Sequence, residues 1–234
     1  MSIYGLLIGI AVVIGIELIR RKTQLNNKDI LILLISTLIG ARLLFLLHNI
    51  KEISQGSINI FAIWDGGLAF FGALIGLIIA IYIITQRKKI SLLPFLDKVF
   101  TYIPLLHALG RIGNYFNKEL YGLPTKLPWA IYIPKEKRLE EYTNYSTFHP
   151  TFAYEAILNI LLFTILIFFS KRIRKDGILF SIYLIGYSVI RILINRIRVD
   201  GEYLFGIETS DLLSAIFLII GITILFLKTK NIKS

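Results

Sequence analysis

Between Gly110 and Gly122 the chain reads G-R-I-G-N-Y-F-N-K-E-L-Y-G, directly after the apolar run Tyr102–Leu109. Arg111, Asn114, Asn117 and Glu119 are thus crowded between glycines at the end of a hydrophobic segment. Ionisable groups in such places are costly and usually functional. Two more arginines, Arg42 and Arg191, lie inside other apolar runs. Asn195 and Arg198 follow Arg191 at the spacing of one helical face. Arginine carries a planar fork of donors suited to phosphate. Taken singly, each arginine could snorkel to an interface or pair with a carboxylate, and for Arg198, close to a helix end, that reading is strongest. Together, Arg42, Arg111 and Arg191 point to a pocket for an anionic phospholipid head group. The run from His149 to Glu155, H-P-T-F-A-Y-E, adds a histidine that titrates in a useful range and, at Glu155, a carboxylate. Glu155 is suited either to a helix N-terminus or to an arginine partner. Asn114, Asn117 and Glu119 could equally be turn and capping residues. His48 and His107, without comparable company, read as packing residues.

The elements that position these groups are membrane spans. The chain has 234 residues, 56% of them hydrophobic, and a mean hydropathy of +0.71, too apolar for a soluble domain with one core. Apolar runs near the length of a bilayer core give seven spans, at about 3–19, 30–48, 66–85, 92–109, 151–170, 177–197 and 210–227. The fourth contains Asp97, Lys98, Pro104 and His107 and is expected to be broken or sheltered from lipid. Small residues from Gly66 to Gly76 suit close approach of a helix or a lipid chain. The fold class is therefore an all-α integral membrane protein, a seven-transmembrane-helix bundle with a small extracytoplasmic head segment at about 110–150. No fixed-period repeat or low-complexity linker divides residues 1–234, which read as a single membrane domain.

Basic clusters follow spans one, three, five and seven: Arg20–Lys22, Arg87–Lys89, Lys171–Lys175, and Lys228, Lys230 and Lys233. The opposite loops mix their cations with Glu52, Glu119, Glu136, Glu140, Glu141, Asp200 and Glu202. The positive-inside rule then places the N-terminus outside and the C-terminus inside. Arg42, Arg111 and Arg191 all fall toward the outer leaflet. The N-terminus lacks a basic leader and a small-residue cleavage site, so it reads as a retained first span. The net charge of +11 suits inner loops and anionic lipid rather than nucleic acid. There is no cysteine, so any thiol in the chemistry belongs to a substrate.

Five runs in order along the chain carry a family resemblance: Gly40–Arg42, Trp64–Leu68 (W-D-G-G-L), Gly110–Gly122, His149–Glu155, and Gly186–Arg198 with Tyr187 and Arg191. The chain resembles the prolipoprotein diacylglyceryl transferases. That resemblance implies a seven-span enzyme of the bacterial plasma (inner) membrane. It would move a diacylglyceryl group from phosphatidylglycerol to the lipobox cysteine of a preprolipoprotein signal peptide and release glycerol phosphate. No cofactor and no metal are implied. Arg111 and Arg191 would contact phosphate. Asn114 and Glu119 would support the site, Gly122 would shape its turn, and Tyr154 and Glu155 match the histidine-proline segment. The catalytic candidates are thus Arg111, Arg191, Glu119 and His149. The substrate-binding candidates are Arg42, Asn114, Asn117, Gly122, Tyr154, Glu155, Asn195 and Arg198. Two positions depart from the family pattern. Phe71 opens the run F-G-A-L where the family usually has His-Gly-Gly-Leu, and Asn195 replaces a usual glutamate. Either Glu119 or His149 could then serve as base. A second reading is a non-catalytic lipid- or lipoprotein-binding paralogue on the same fold. A third, a transporter of anionic solutes, is disfavoured by the apolar inner halves of the spans.

Overall fold

A computed structural model describes residues 3–23, 25–63, 66–201, 203–204 and 207–230. Trp64 and Asp65, part of one resemblance run, and Glu202, counted among the loop acids, lie outside the described residues. The chain is built from helices α1 (Ile3–Thr23), α2 (Asn27–His48), α3 (Ile50–Ser54), α4 (Phe70–Lys88), α5 (Leu92–Phe100), α6 (Ile103–Asn117), α7 (Thr151–Ser170), α8 (Ile178–Asn195) and α9 (Thr209–Lys230). Among the described residues, six segments are long and apolar enough to cross a membrane: α2, α4, α5 with α6, α7, α8 and α9. The first expected span forms a helix, α1, of 21 residues with Arg20, Arg21 and Lys22 in its last turn, but it is not among these six. This is an all-α, multi-pass membrane protein.

Two boundaries differ from expectation for identifiable reasons. The third helix starts at Phe70, not Gly66, because Gly66 and Gly67 take positive φ and Ala69 is extended. The fourth span is broken, as its polar content suggested. α5 ends at Phe100, and α6 restarts at Ile103 with Pro104 in its first turn, where a missing N–H costs nothing. The polar stretch after Leu109 does not begin as a loop: α6 continues through Arg111 and Asn114 to Asn117 and stops at Lys118, at φ 54°.

Local chemistry locks the helices in place. Asn26 and Asp29 form a reciprocal capping box at the start of α2, and Asp29 also pairs with Lys88 at the end of α4. Asp97 on α5 is buried, and its carboxylate accepts from the N–H groups of Gly177 and Phe180, both at 2.7 Å. It thereby caps α8, whose first N–H groups have no intrahelical acceptor. The core between α4, α5 and α8 is aromatic, with Phe100 against Phe180 and Tyr183 and the rings of Tyr183 and Tyr187 stacked at 5.8 Å.

Helices α2 and α4 meet along Gly40, Gly72 and Gly76. A Cβ on Gly72 would run into the carbonyl oxygen of Gly40, and one on Gly40 into that of Gly72. Backbone cannot yield as a flexible side chain can. Gly72→Ala is therefore expected to separate the two helices and destabilise the protein by about 1–3 kcal/mol, read as a lower melting temperature in detergent. Gly9→Ala, whose new methyl would meet nothing within 4 Å, is the control and should show no loss.

The connection from Lys118 to Pro150 forms a small head on the ends of α6 and α7. Strands β1 (Ile131–Tyr132) and β2 (Thr147–Phe148) pair antiparallel, Ile131 opposite Phe148. Tyr121, Ile133 and Phe148 make its core. Within the head Gly122 N–H donates to His149 O, and the head is tied to the end of α8 by Leu123 N–H to Ile197 O, both 2.8 Å. Strands β3 (Tyr203–Leu204) and β4 (Ile207–Glu208) pair antiparallel between α8 and α9.

Candidate active site

At the head end of the bundle, Glu155 on α7 is 1% exposed. A carboxylate so buried needs charged or hydrogen-bonding partners, and two helices, α6 and α8, supply them. Arg111 Nη2 on α6 donates to Glu155 Oε1 at 2.9 Å. Arg191 Nη1 on α8 lies 3.6 Å from Oε2. His107 Nε2, one turn before Arg111 on α6, lies 3.2 Å from Oε1.

A chain of polar groups extends from this cluster. Arg111 Nη1 donates to Asn114 Oδ1 at 3.2 Å, and Asn114 Nδ2 donates to Glu119 Oε1 at 2.7 Å. Asn117 Nδ2 donates to the same oxygen at 3.2 Å. Asn114, Asn117 and Glu119 thus fix one another and orient Arg111. On the other side, Arg191 Nη2 donates to Ser210 Oγ on α9 at 2.9 Å. Arg198 lies beyond the end of α8 and grips Asp200 with two bonds of 2.8 Å. A cavity of about 130 Å³ opens here, walled by Arg111, Arg191, Arg198, Phe70, Phe71 and Tyr187. Arg111 Nε and Arg191 Nε and Nη1 are buried without a hydrogen-bond acceptor. The cavity is thus lined by two arginines whose Nε groups have no hydrogen-bond acceptor among the described residues, next to apolar rings.

Several expected residues are elsewhere. Arg42 was expected in the head-group pocket, but it does not line the cavity. Its guanidinium is spent on the carbonyls of Asn59, Ile60, Gly66 and Gly67, at 2.6–3.1 Å, and it folds the loop after α3 back onto α2. Asn195 turns toward α9, where its amide donates to Asp211 Oδ1 at 2.9 Å. Arg198 shares the cavity with Arg191, though not through a common helical face, since α8 ends at Asn195. His149 is on the head, its Nδ1 3.2 Å from Tyr154 Oη, which also accepts from Trp129 Nε1 at 2.7 Å. Tyr154 and Trp129 border a separate apolar groove of about 430 Å³ with Tyr115, Phe152 and Ile157. Gly122 pairs in a bridge with Arg198 at the junction of head and bundle.

His107 is the residue whose reading must be corrected. It does pack, its ring stacked on Phe70 at 4.2 Å, but it also belongs to the Glu155 cluster. Its spacing of one helical turn before Arg111 was the available signal. Ser210 carried none, because the partner that defines it, Arg191, comes from another helix. Among the described residues no group of three His, Asp or Glu is arranged to hold a metal ion.

Fold and site together define a class: a multi-pass helical membrane protein with a buried arginine–carboxylate cluster at one end of its spans. The particular family follows from sequence comparison. Residues 1–227 match the prolipoprotein diacylglyceryl transferase family, and the chain belongs to it. It is 38% identical to the phosphatidylglycerol–prolipoprotein diacylglyceryl transferase of Synechocystis sp., over 98% of this chain and 87% of that protein. It is 39% identical to the protein of the same name from Thermotoga petrophila, over 81% of this chain and 65% of the relative. With the Prochlorococcus marinus subsp. pastoris protein, also so named, identity is 39% over 84% and 75% of the two chains.

Proposed function

We propose that this chain is a phosphatidylglycerol–prolipoprotein diacylglyceryl transferase, acting on the lipobox cysteine of preprolipoprotein signal peptides. The observation that carries the reading is the pair Arg111 and Arg191, held by one buried carboxylate and lining one cavity. The substrate's thiol sulfur attacks the glycerol carbon that bears the phosphate. The carbon–oxygen bond breaks, and its electron pair leaves on the phosphate oxygen of glycerol phosphate. Fixed donors aimed at that oxygen stabilise charge that develops only in the transition state. Arg198, Ser210 and the Asn114–Glu119 chain support the geometry, while Phe70, Phe71 and Tyr187 keep the site apolar.

The basic ends of α1, α4, α7 and α9 would face the cytoplasm by the positive-inside rule. The head and the arginine cluster would then lie at the outer leaflet of the bacterial plasma membrane, with residues 1–234 forming one membrane domain. This suits a substrate whose cysteine is presented outside. One observation favours the non-catalytic alternative. Phe71, where the family usually has histidine, sits among Phe70, Tyr187 and Phe217 and cannot take a proton.

The deciding experiment places the purified protein in phosphatidylglycerol vesicles with a lipobox peptide. The active reading expects the peptide to gain a diacylglyceryl mass, with one glycerol phosphate released per peptide. Lipid binding without either product would establish the alternative.

A further inference from the structure

The cavity that Arg111 and Arg191 line is not cationic throughout. Where the chain leaves α8 it passes Arg198 and Asp200, turns through the β3–β4 hairpin and enters α9 at Thr209 and Ser210. The pairing of Tyr203 with Glu208 holds the two arms of that hairpin together. Asp200 on one arm, and Thr209 and Ser210 at the end of the other, line the cavity beside Arg191 and Arg198. A carboxylate adds nothing to the binding of a phosphate, so Asp200 points to a second ligand group in the same cavity.

Two features of this corner suit a hydroxyl. Arg198 neutralises Asp200, donating Nε to Oδ1 and Nη2 to Oδ2, both at 2.8 Å. The pair carries no net charge, yet each carboxylate oxygen has a second lone-pair site, and the Asp200 side chain is 32% exposed. It can therefore accept from a neutral O–H, while Arg198 offsets its attraction for an ammonium. Thr209 is 4% exposed, and its Oγ1 has no hydrogen-bond partner among the described residues. A buried hydroxyl left unpaired is costly, and valine would fill the same shape without that cost. Ser210 Oγ, next in the chain, accepts from Arg191 Nη2 at 2.9 Å, which ties this corner to the arginine cluster.

Resting on the transferase reading, we infer that Asp200 and Thr209 read the free hydroxyls of the donor lipid's glycerol head, with Ser210 fixing that corner against the arginines that hold the phosphate. Charge divides in the same way. Arg111 and Arg191 share Glu155, which leaves one positive charge for a phosphodiester. The Arg198–Asp200 pair leaves none, as an uncharged polyol requires. These residues select the donor by its leaving group. A head without hydroxyls, or with an ammonium in their place, satisfies the arginines but not this corner.

The test uses the full chain, a lipobox peptide, and vesicles of phosphatidylcholine containing either phosphatidylglycerol or phosphatidylpropanol. The second lipid has the same phosphodiester and head length but no hydroxyl. Two readouts are taken: kcat/KM for thioether formation, and the rise in melting temperature that each lipid gives in detergent. The native protein should favour phosphatidylglycerol about 100-fold in kcat/KM, because a site built to hydrogen-bond a hydroxyl rejects the analogue that lacks it. Its melting temperature should rise further with phosphatidylglycerol. Phosphatidylethanolamine should do no better than phosphatidylpropanol. Thr209→Val and Asp200→Asn should each cut the preference about tenfold. Thr209→Val breaks no hydrogen bond within the protein, so its melting temperature without lipid should not fall.

Equal use of the two lipids by the native protein overturns the inference. So does phosphatidylethanolamine matching phosphatidylglycerol. Equal losses for both lipids in the two variants would reduce Asp200 and Thr209 to structural residues and overturn it as well. A native protein that forms no thioether from either lipid overturns the transferase reading instead. The melting-temperature preference then decides the inference by itself: a larger rise with phosphatidylglycerol that Thr209→Val diminishes supports it, and equal rises refute it.

Discussion

Arg111→Ala should abolish measurable turnover. Losing one preorganised donor to a developing oxyanion costs about 10²–10³ in rate, and Arg111 offers more than one. Its Nη2 is fixed by Glu155 and its Nη1 by Asn114, so the fork is rigid before substrate arrives. Arg111→Lys keeps the charge but not the fork, and its rate should fall between those of the native protein and the alanine variant. Single-turnover thioether formation measures both. A native rate in Arg111→Ala would remove the phosphate clamp from the mechanism.

The second large effect is on stability. Glu155→Ala leaves Arg111 and Arg191 buried without their shared anion, and breaking a buried pair from one side costs about 3–5 kcal/mol. The melting transition in detergent should collapse. Phosphatidylglycerol should restore part of it, because its phosphate supplies the missing anion and binds only the folded protein. The double variant Arg111→Ala, Glu155→Ala should be more stable than Glu155→Ala alone, yet remain inactive. That sign of coupling is expected of groups sharing one network. Additive losses would mean that Glu155 does not hold the arginines.

Hydropathy made the spans legible because length and apolarity are all that a bilayer asks of a helix. The span read at 151–170 matches α7, whose limits are marked by Pro150 and Lys171. Hydropathy said less about where helices start and stop. Gly66 and Gly67 are apolar enough to count as span, yet their positive φ ends any helix there. Asn114 and Asn117 are polar enough to suggest a loop, yet stay helical because they bond to Glu119.

The site was legible to the extent that its partners were charged. A buried glutamate among buried arginines can be anticipated from charge alone. Arg42 was misplaced because its acceptors are carbonyls, which every residue carries and composition cannot reveal. His107 was passed over because its carboxylate comes from α7, 48 positions away by the numbering of the pair. Depth in a membrane can be read from one helix, but partnership across helices needs the packing.

The clasp of Arg42 bears on how this loop can change over evolutionary time. All four of its acceptors are main-chain oxygens, so it recognises the course of the loop and is indifferent to its letters. Ile60, exposed to solvent or lipid, can be exchanged freely without losing one of these bonds. Gly67 cannot, since a Cβ there would strike Arg42 and Phe45. Relatives can therefore vary the side chains at positions 59 and 60 without losing these bonds, with Arg42 and Gly67 as the fixed points.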